Sequence, residues 1–133
     1  MPQENLEPAR EAIDAFNRRD LDAYLALMEP DVELTPYERV LEGLGPYRGH
    51  DGVRTWWRET LAALPDLRAE LDQLRDLGDM VFAGGRLHGT GALSGAPIER
   101  AFWIALQVRD RKAVSWHTFA SKAEALKAVG LEE

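Results

Sequence analysis

The sequence predicts one α+β domain over residues 1–133, a curved antiparallel sheet wrapped by N-terminal helices around an apolar pocket. Three observations lead there. Apolar residues recur at helical spacing in the first half of the chain and at strand spacing in the second, and one face of those strands is almost wholly apolar. Helices followed by strands is the order of an α+β fold rather than of an alternating parallel α/β one. With 45% apolar residues in 133, there is material for one hydrophobic core.

The elements follow in order. Ala9, Ala12, Ile13 and Phe16 place one apolar stripe on a helix from Glu4 to Arg18. Asp20 has the chemistry of an N-cap, and Leu21, Tyr24, Leu25 and Met28 stripe a second short helix that Pro30 stops. Asp31 to Thr35 alternates as a half-buried strand, with Val32 and Leu34 on one side and Glu33 on the other, and Pro36 ends it. Tyr37 to Gly52 holds Gly43, Gly45, Pro46, Gly49 and Gly52, which predicts a loop. A third helix, capped by Asp51 and closed by Pro65, buries Val53, Trp56, Trp57, Leu61 and Leu64. Strands are predicted over Leu67–Leu77, Met80–His88, Ile98–Val108 and Ala113–Phe119; in the first of these, Leu67, Leu71, Leu74 and Leu77 also suit a helix. Lys122 to Val129 forms a short C-terminal helix that Gly130 stops.

Composition removes several function classes. Sixteen basic against 23 acidic residues leave a net charge of −7, which repels nucleic acid and anionic membranes, and Arg109, Arg111 and Lys112 around Asp110 have the pattern of a strand turn. There is no cysteine, so disulfides, thiol nucleophiles and thiolate metal sites are out. The absence of a signal-peptide pattern or an 18-residue apolar run leads to the expectation of a cytoplasmic protein. No phosphate-binding glycine loop, no Gly-x-Ser-x-Gly elbow and no His-x-x-x-His spacing occurs, so no cofactor and no metal are expected.

Strand parity sorts the sheet into two faces. Val81, Ala83, Gly85, Leu87, Phe102, Ile104, Leu106, Val108, Val114, Trp116 and Thr118 form the apolar face expected under the helices. Arg86, His88, Glu99, Ala101, Trp103, Ala105, Gln107, Ser115, His117 and Phe119 mix aromatic and polar groups in the manner of a subunit interface. His88, Trp103, His117 and Phe119 are therefore expected at an interface, and His50 in solvent. Gly84, Gly85 and Gly89 remove side-chain volume and allow bending, which leaves room for a pocket lined by Phe16, Tyr37, Tyr47, Trp56, Trp57, Leu87, Arg100, Phe102, Ile104, Trp116 and Thr118.

The runs Ala15-Phe16-Asn17-Arg18-Arg19-Asp20-Leu21-Asp22, Pro30-Asp31-Val32-Glu33, Tyr47-Arg48-Gly49-His50-Asp51-Gly52-Val53 and Phe119 to Leu131, in this order of elements, resemble the SnoaL-like proteins. These belong to the nuclear transport factor two superfamily, with polyketide cyclases, ketosteroid isomerases and limonene epoxide hydrolase as enzyme relatives. The resemblance covers nearly the whole chain. It implies a cone-shaped roll, a curved mixed or antiparallel sheet wrapped by three N-terminal helices with a short C-terminal helix, usually in a homodimer. Ketosteroid isomerase uses an Asp base and an oxyanion hole of Tyr and protonated Asp. At the matching positions this chain has Leu34, Ala12 and Ile104, and an Asp of SnoaL-type cyclases also falls on Ile104. Their His after a Gly-Thr pair falls on Gly91. Apolar side chains cannot move a proton, so the chemistry of either relative is not expected from the same residues.

Three functions follow as expectations. The first is a dimeric pocket protein for a small, largely apolar molecule, polycyclic or terpenoid-like ones included. The second is a cofactor-free isomerase, cyclase or hydratase, with Glu33 as general base and a tyrosine or Arg100 as electrophilic partner; Glu38 is the other acid near the pocket. The third is an interaction module with Trp103, His117 and Phe119 on a partner and a concave face filled by side chains.

Overall fold

The computed structural model describes residues 2–119 and 121–130, without the side chains of residues 2–5, 38, 40 and 41. Helix α1 (Pro2–Arg18) buries Ala9, Ala12, Ala15 and Phe16. Its end is fixed by the residues after its apolar stripe. Asn17 donates to the Ala69 carbonyl at 2.9 Å and accepts from the Ala69 amide at 3.0 Å. Arg19, in the left-handed region at φ 63°, donates to the carbonyls of Phe16, Pro65 and Leu67. Asp20 then caps α2 (Leu21–Ala26) by accepting from the Ala23 amide at 3.0 Å. That amide, with Arg18 beside it, holds the Asp20 carboxyl below its ordinary pKa.

Met28 does not extend the helix stripe: α2 ends at Ala26, and strand β1 (Met28–Thr35) already includes Pro30. Pro30 is tolerated because the pairing register slips between Met28 and Glu33. The stretch expected as loop forms a six-residue helix, α3 (Tyr37–Glu42), and a two-residue strand, β2 (Tyr47–Arg48). Helix α4 (Gly49–Ala63) starts two residues before Asp51, which instead pairs with Arg54 in the first turn at 2.7 Å. His50 is half-buried rather than solvated, with Nε2 3.0 Å from the Met28 carbonyl.

The strands β3 (Arg68–Asp76), β4 (Met80–Thr90), β5 (Pro97–Arg109) and β6 (Lys112–Phe119) form antiparallel neighbours, and β1 joins β6 in parallel. The result is a curved, unclosed mixed sheet of order β2-β1-β6-β5-β4-β3. The ambiguous leucine segment is thus a strand. A bulge between Leu71 and Gln73 shifts parity so that Ala69, Leu71 and Leu74 all face inward, which produces the helix-like spacing. A second bulge makes Ala113, not Val114, the buried neighbour of Val108. Helix α5 (Lys122–Ala128), capped by Ser121 and stopped by Gly130 at φ 86°, crosses to the outer face. There Ala125 and Leu126 bury Phe82, with Trp103 and Phe119 packed alongside. No helix among the described residues is long and apolar enough to cross a membrane.

Candidate functional site

The inner face of the sheet and helices α1, α2 and α4 enclose an open cavity of about 280 Å³. It is not filled by the aromatic side chains around it. Strand parity sets one wall: Phe102 and Ile104 of β5 face the same way as Leu87 of β4 and Trp116 and Thr118 of β6, because Ile104 pairs with Thr118 and Leu87 with Arg100. Leu34 of β1 continues that wall. The helices supply Phe16, Tyr24, Trp56 and Thr60, and Tyr37 stands at the start of α3. The rings of Phe16, Tyr24 and Trp56 pack on one another and on Trp57 behind them, with centroids 5.1 to 6.4 Å apart, packing that fixes the lining in place.

Nine of the eleven residues expected in the pocket line it: Phe16, Tyr37, Trp56, Leu87, Arg100, Phe102, Ile104, Trp116 and Thr118. Tyr47 and Trp57 do not. Tyr47 sits on edge strand β2, donates to Glu59 at 3.0 Å and stacks under Arg39. Trp57 is one helix position past the cavity and is buried in the core between Phe16 and Tyr24. Glu33 does not reach the cavity either. Its strand parity is opposite to that of Leu34, and its carboxylate, about half exposed, pairs with Arg48 across the β1–β2 ladder. Glu38 has its side chain outside the described residues.

Among the lining residues that sequence reasoning did not place there are Tyr24, Leu34, Thr60 and Ala69. For Tyr24 the signal was present: it is the one polar member of the α2 stripe. Burial raises its phenol pKa above the ordinary 10.0, so it stays protonated at neutral pH. Among the described lining residues there is no carboxylate and no imidazole, and Arg100 is the one formal charge. Leu34 and Ile104 are in that lining, at the two sites where the resemblance placed an acid.

The proposed interface residues divide. Trp103 and Phe119 pack under α5 and also contribute to the cavity's lining, so neither is a free outer-face anchor. His117 stays on the outer face, half-buried, 4.4 Å from Phe119 between ring centroids, and burial lowers its pKa below the ordinary 6.5. His88 lies further along that face, with Nε2 3.3 Å from Glu70 and Nδ1 3.8 Å from Glu99. No cluster of three or more His, Cys, Asp or Glu among the described residues could hold a metal.

The model of the SnoaL-like domain family matches residues 9–116. The chain belongs to the SnoaL-like family. Solved structures agree in fold with this SnoaL-like chain. An NTF2-like protein of unknown function from Burkholderia pseudomallei is 27% identical, with a TM-score of 0.78 over 96% of this chain and 98% of that one. IdmH of Streptomyces antibioticus, a candidate polyketide cyclase, is 25% identical, with a TM-score of 0.74 over 94% of this chain and 96% of that one. TerC, co-crystallised with polyporic acid, is 23% identical, with a TM-score of 0.78 over 95% of this chain and 98% of that one. No curated protein matches the sequence.

Proposed function

We propose that this SnoaL-like protein binds a small, largely apolar molecule in the cavity between its helices and the inner sheet face. One observation carries this: an open cavity of about 280 Å³ whose described lining is aromatic and aliphatic, with no carboxylate and no imidazole. The volume is at the small end of ligand sites, which span roughly 300 to 1,000 Å³. Proton abstraction next to a carbonyl needs a base within hydrogen-bond reach of the substrate, and the described lining offers none. Tyr24 and Tyr37 can donate hydrogen bonds and so orient a ligand oxygen. The place of Glu33 outside the described lining, paired with Arg48, speaks against the isomerase reading with that base, and the open cavity speaks against a concave face filled by side chains. TerC, similar in fold, was co-crystallised with polyporic acid, which is in keeping with a binding role.

Titration with N-phenyl-1-naphthylamine, a neutral dye that fluoresces in apolar sites, tests the proposal. Saturable binding is expected, weakened about tenfold or more by Ile104→Phe, which fills the cavity from its wall. Thr118→Phe, from the neighbouring strand, serves where the first variant fails to fold. Unchanged binding in a folded variant would overturn the cavity as the site. The proposal includes a homodimer through the outer sheet face, supported by the half-buried Ser115 and Gln107 in one cross-strand row there and His117 in the next.

A further inference from the structure

Arg100 is at the rim of the cavity, exposed yet part of its lining. Arg48 pairs with Glu33, Arg54 with Asp51, Arg86 with Glu99 and Arg109 with Glu29, whereas Arg58, Arg68, Arg75 and Arg111, like Arg100, have no carboxylate partner among the described residues; of these unpaired arginines Arg100 is the one in the cavity lining. Its contact is Tyr37, with the guanidinium carbon 4.6 Å over the ring centroid. That arrangement occupies one face of the guanidinium and leaves its in-plane N–H donors free at the edge, where a planar oxyanion fits. In a chain of net charge −7, which otherwise disfavours an anion at its surface, Arg100 is the one charged group in the described lining and so the group there that can attract one.

We infer that the ligand is amphipathic: an aromatic or polycyclic body in the cavity, carrying one anionic group (carboxylate, sulfonate or phenolate) that Arg100 meets at the mouth. The inference rests on the cavity being the binding site, and makes Arg100, aimed by Tyr37, a specificity-determining residue. Leu87, the cross-strand partner of Arg100, and Phe102, two residues further along β5, begin the apolar wall directly below the charge. The ligand's charge therefore stays at the solvent edge, where its desolvation cost is small.

Two dyes differing by one group separate the inference from the reading beneath it. 8-Anilinonaphthalene-1-sulfonate has the ring system of N-phenyl-1-naphthylamine plus a sulfonate. Both are titrated into the intact protein, into Arg100→Gln and into the cavity-filled Ile104→Phe, with Thr118→Phe in reserve. The expected result is that Arg100→Gln weakens the sulfonate about fivefold more than it weakens the neutral amine, the scale of a solvent-exposed charge contact. Raising KCl should shrink the sulfonate's advantage in the parent protein and not in the variant. Equal effects on both dyes, or none on either, would overturn the anionic headgroup while the cavity survives. Absence of binding by both dyes, or binding indifferent to a folded cavity-filled variant, would overturn the cavity reading and the headgroup with it.

Discussion

His117 links one residue's environment to the stability of the chain. Its imidazole is half-buried beside Phe119, and its cross-strand neighbours Thr35 and Ala105 bring no carboxylate, so burial lowers its pKa below 6.5. The unfolded chain then takes up a proton near pH 6.5 that the folded chain refuses until lower pH. The unfolded state binds more protons in that window, so stability falls as pH drops through it and is fully present above it. Urea unfolding between pH 7.5 and 5.5 should show this loss, and His117→Gln should flatten it. Superimposable pH profiles would exclude His117 as the source. Asp20 and Asp66 act elsewhere: both are held below 3.8, Asp66 chiefly by Thr90, so their contribution is lost only as pH falls below that value. At this scale the sequence was legible where parity decides a side chain's direction, as for Phe102, Ile104, Trp116 and Thr118. It was not legible for Tyr47 and Trp57. One belongs to a two-residue strand that glycines disguise, and the other is a single helix position from Trp56, a rotation of about 100° that a broad apolar stripe does not resolve.

The elements read best where hydrophobic period and caps agree, as at the start of α2 and in α5. They read worst where a bulge breaks the period. The bulge after Leu71 makes a strand imitate a helix, and the one near Val114 moves Ala113 into the core. Pro30 was taken for a helix stop because the irregular pairing that tolerates it is a tertiary feature. The glycines of β4 also have a different reason from the one their composition suggests. A Cβ on Gly85 would lie 1.9 Å from the Glu70 carbonyl oxygen and 3.0 Å from the Phe102 ring, so glycine there permits the close approach of β3 at its bulge. Gly85→Ala should therefore destabilise by about 3 kcal/mol, because backbone must move rather than a side chain. In Gly84→Ala the nearest atom is 3.3 Å away, on the Trp103 side chain, and about 1 kcal/mol or less is expected. A lowered urea midpoint with unchanged slope for the first variant, and a near-parental midpoint for the second, is the predicted outcome. Equal midpoints would mean that β3 does not press on Gly85.

For the molecule as a whole, the two sheet faces are put to different uses. The inner face has helices over it and a cavity left between them; on the outer face, among the described residues, α5 covers Phe82, Trp103 and Phe119. Beyond α5, the register aligns Glu33, Ser115, Gln107 and Met80 in one row and Thr35, His117 and Ala105 in the next. Ser115, Gln107 and His117 are half-buried there. These rows contain few charges and have strands on both sides, which suits an isologous contact between two copies related by a two-fold axis. Ser115 is central to them, so in such a dimer each copy's Ser115 would sit near the axis and meet the partner's face. Ser115→Arg would bring two cations together in a desolvated patch, a change expected to cost several kcal/mol and separate the copies. Size-exclusion chromatography with light scattering should report the mass of two chains for the parent protein and of one for the variant. The cavity lies on the opposite face, so N-phenyl-1-naphthylamine binding should survive in the monomeric variant. A parent that runs as a monomer, or a variant that stays dimeric, would remove the outer face as the interface and leave the cavity untouched.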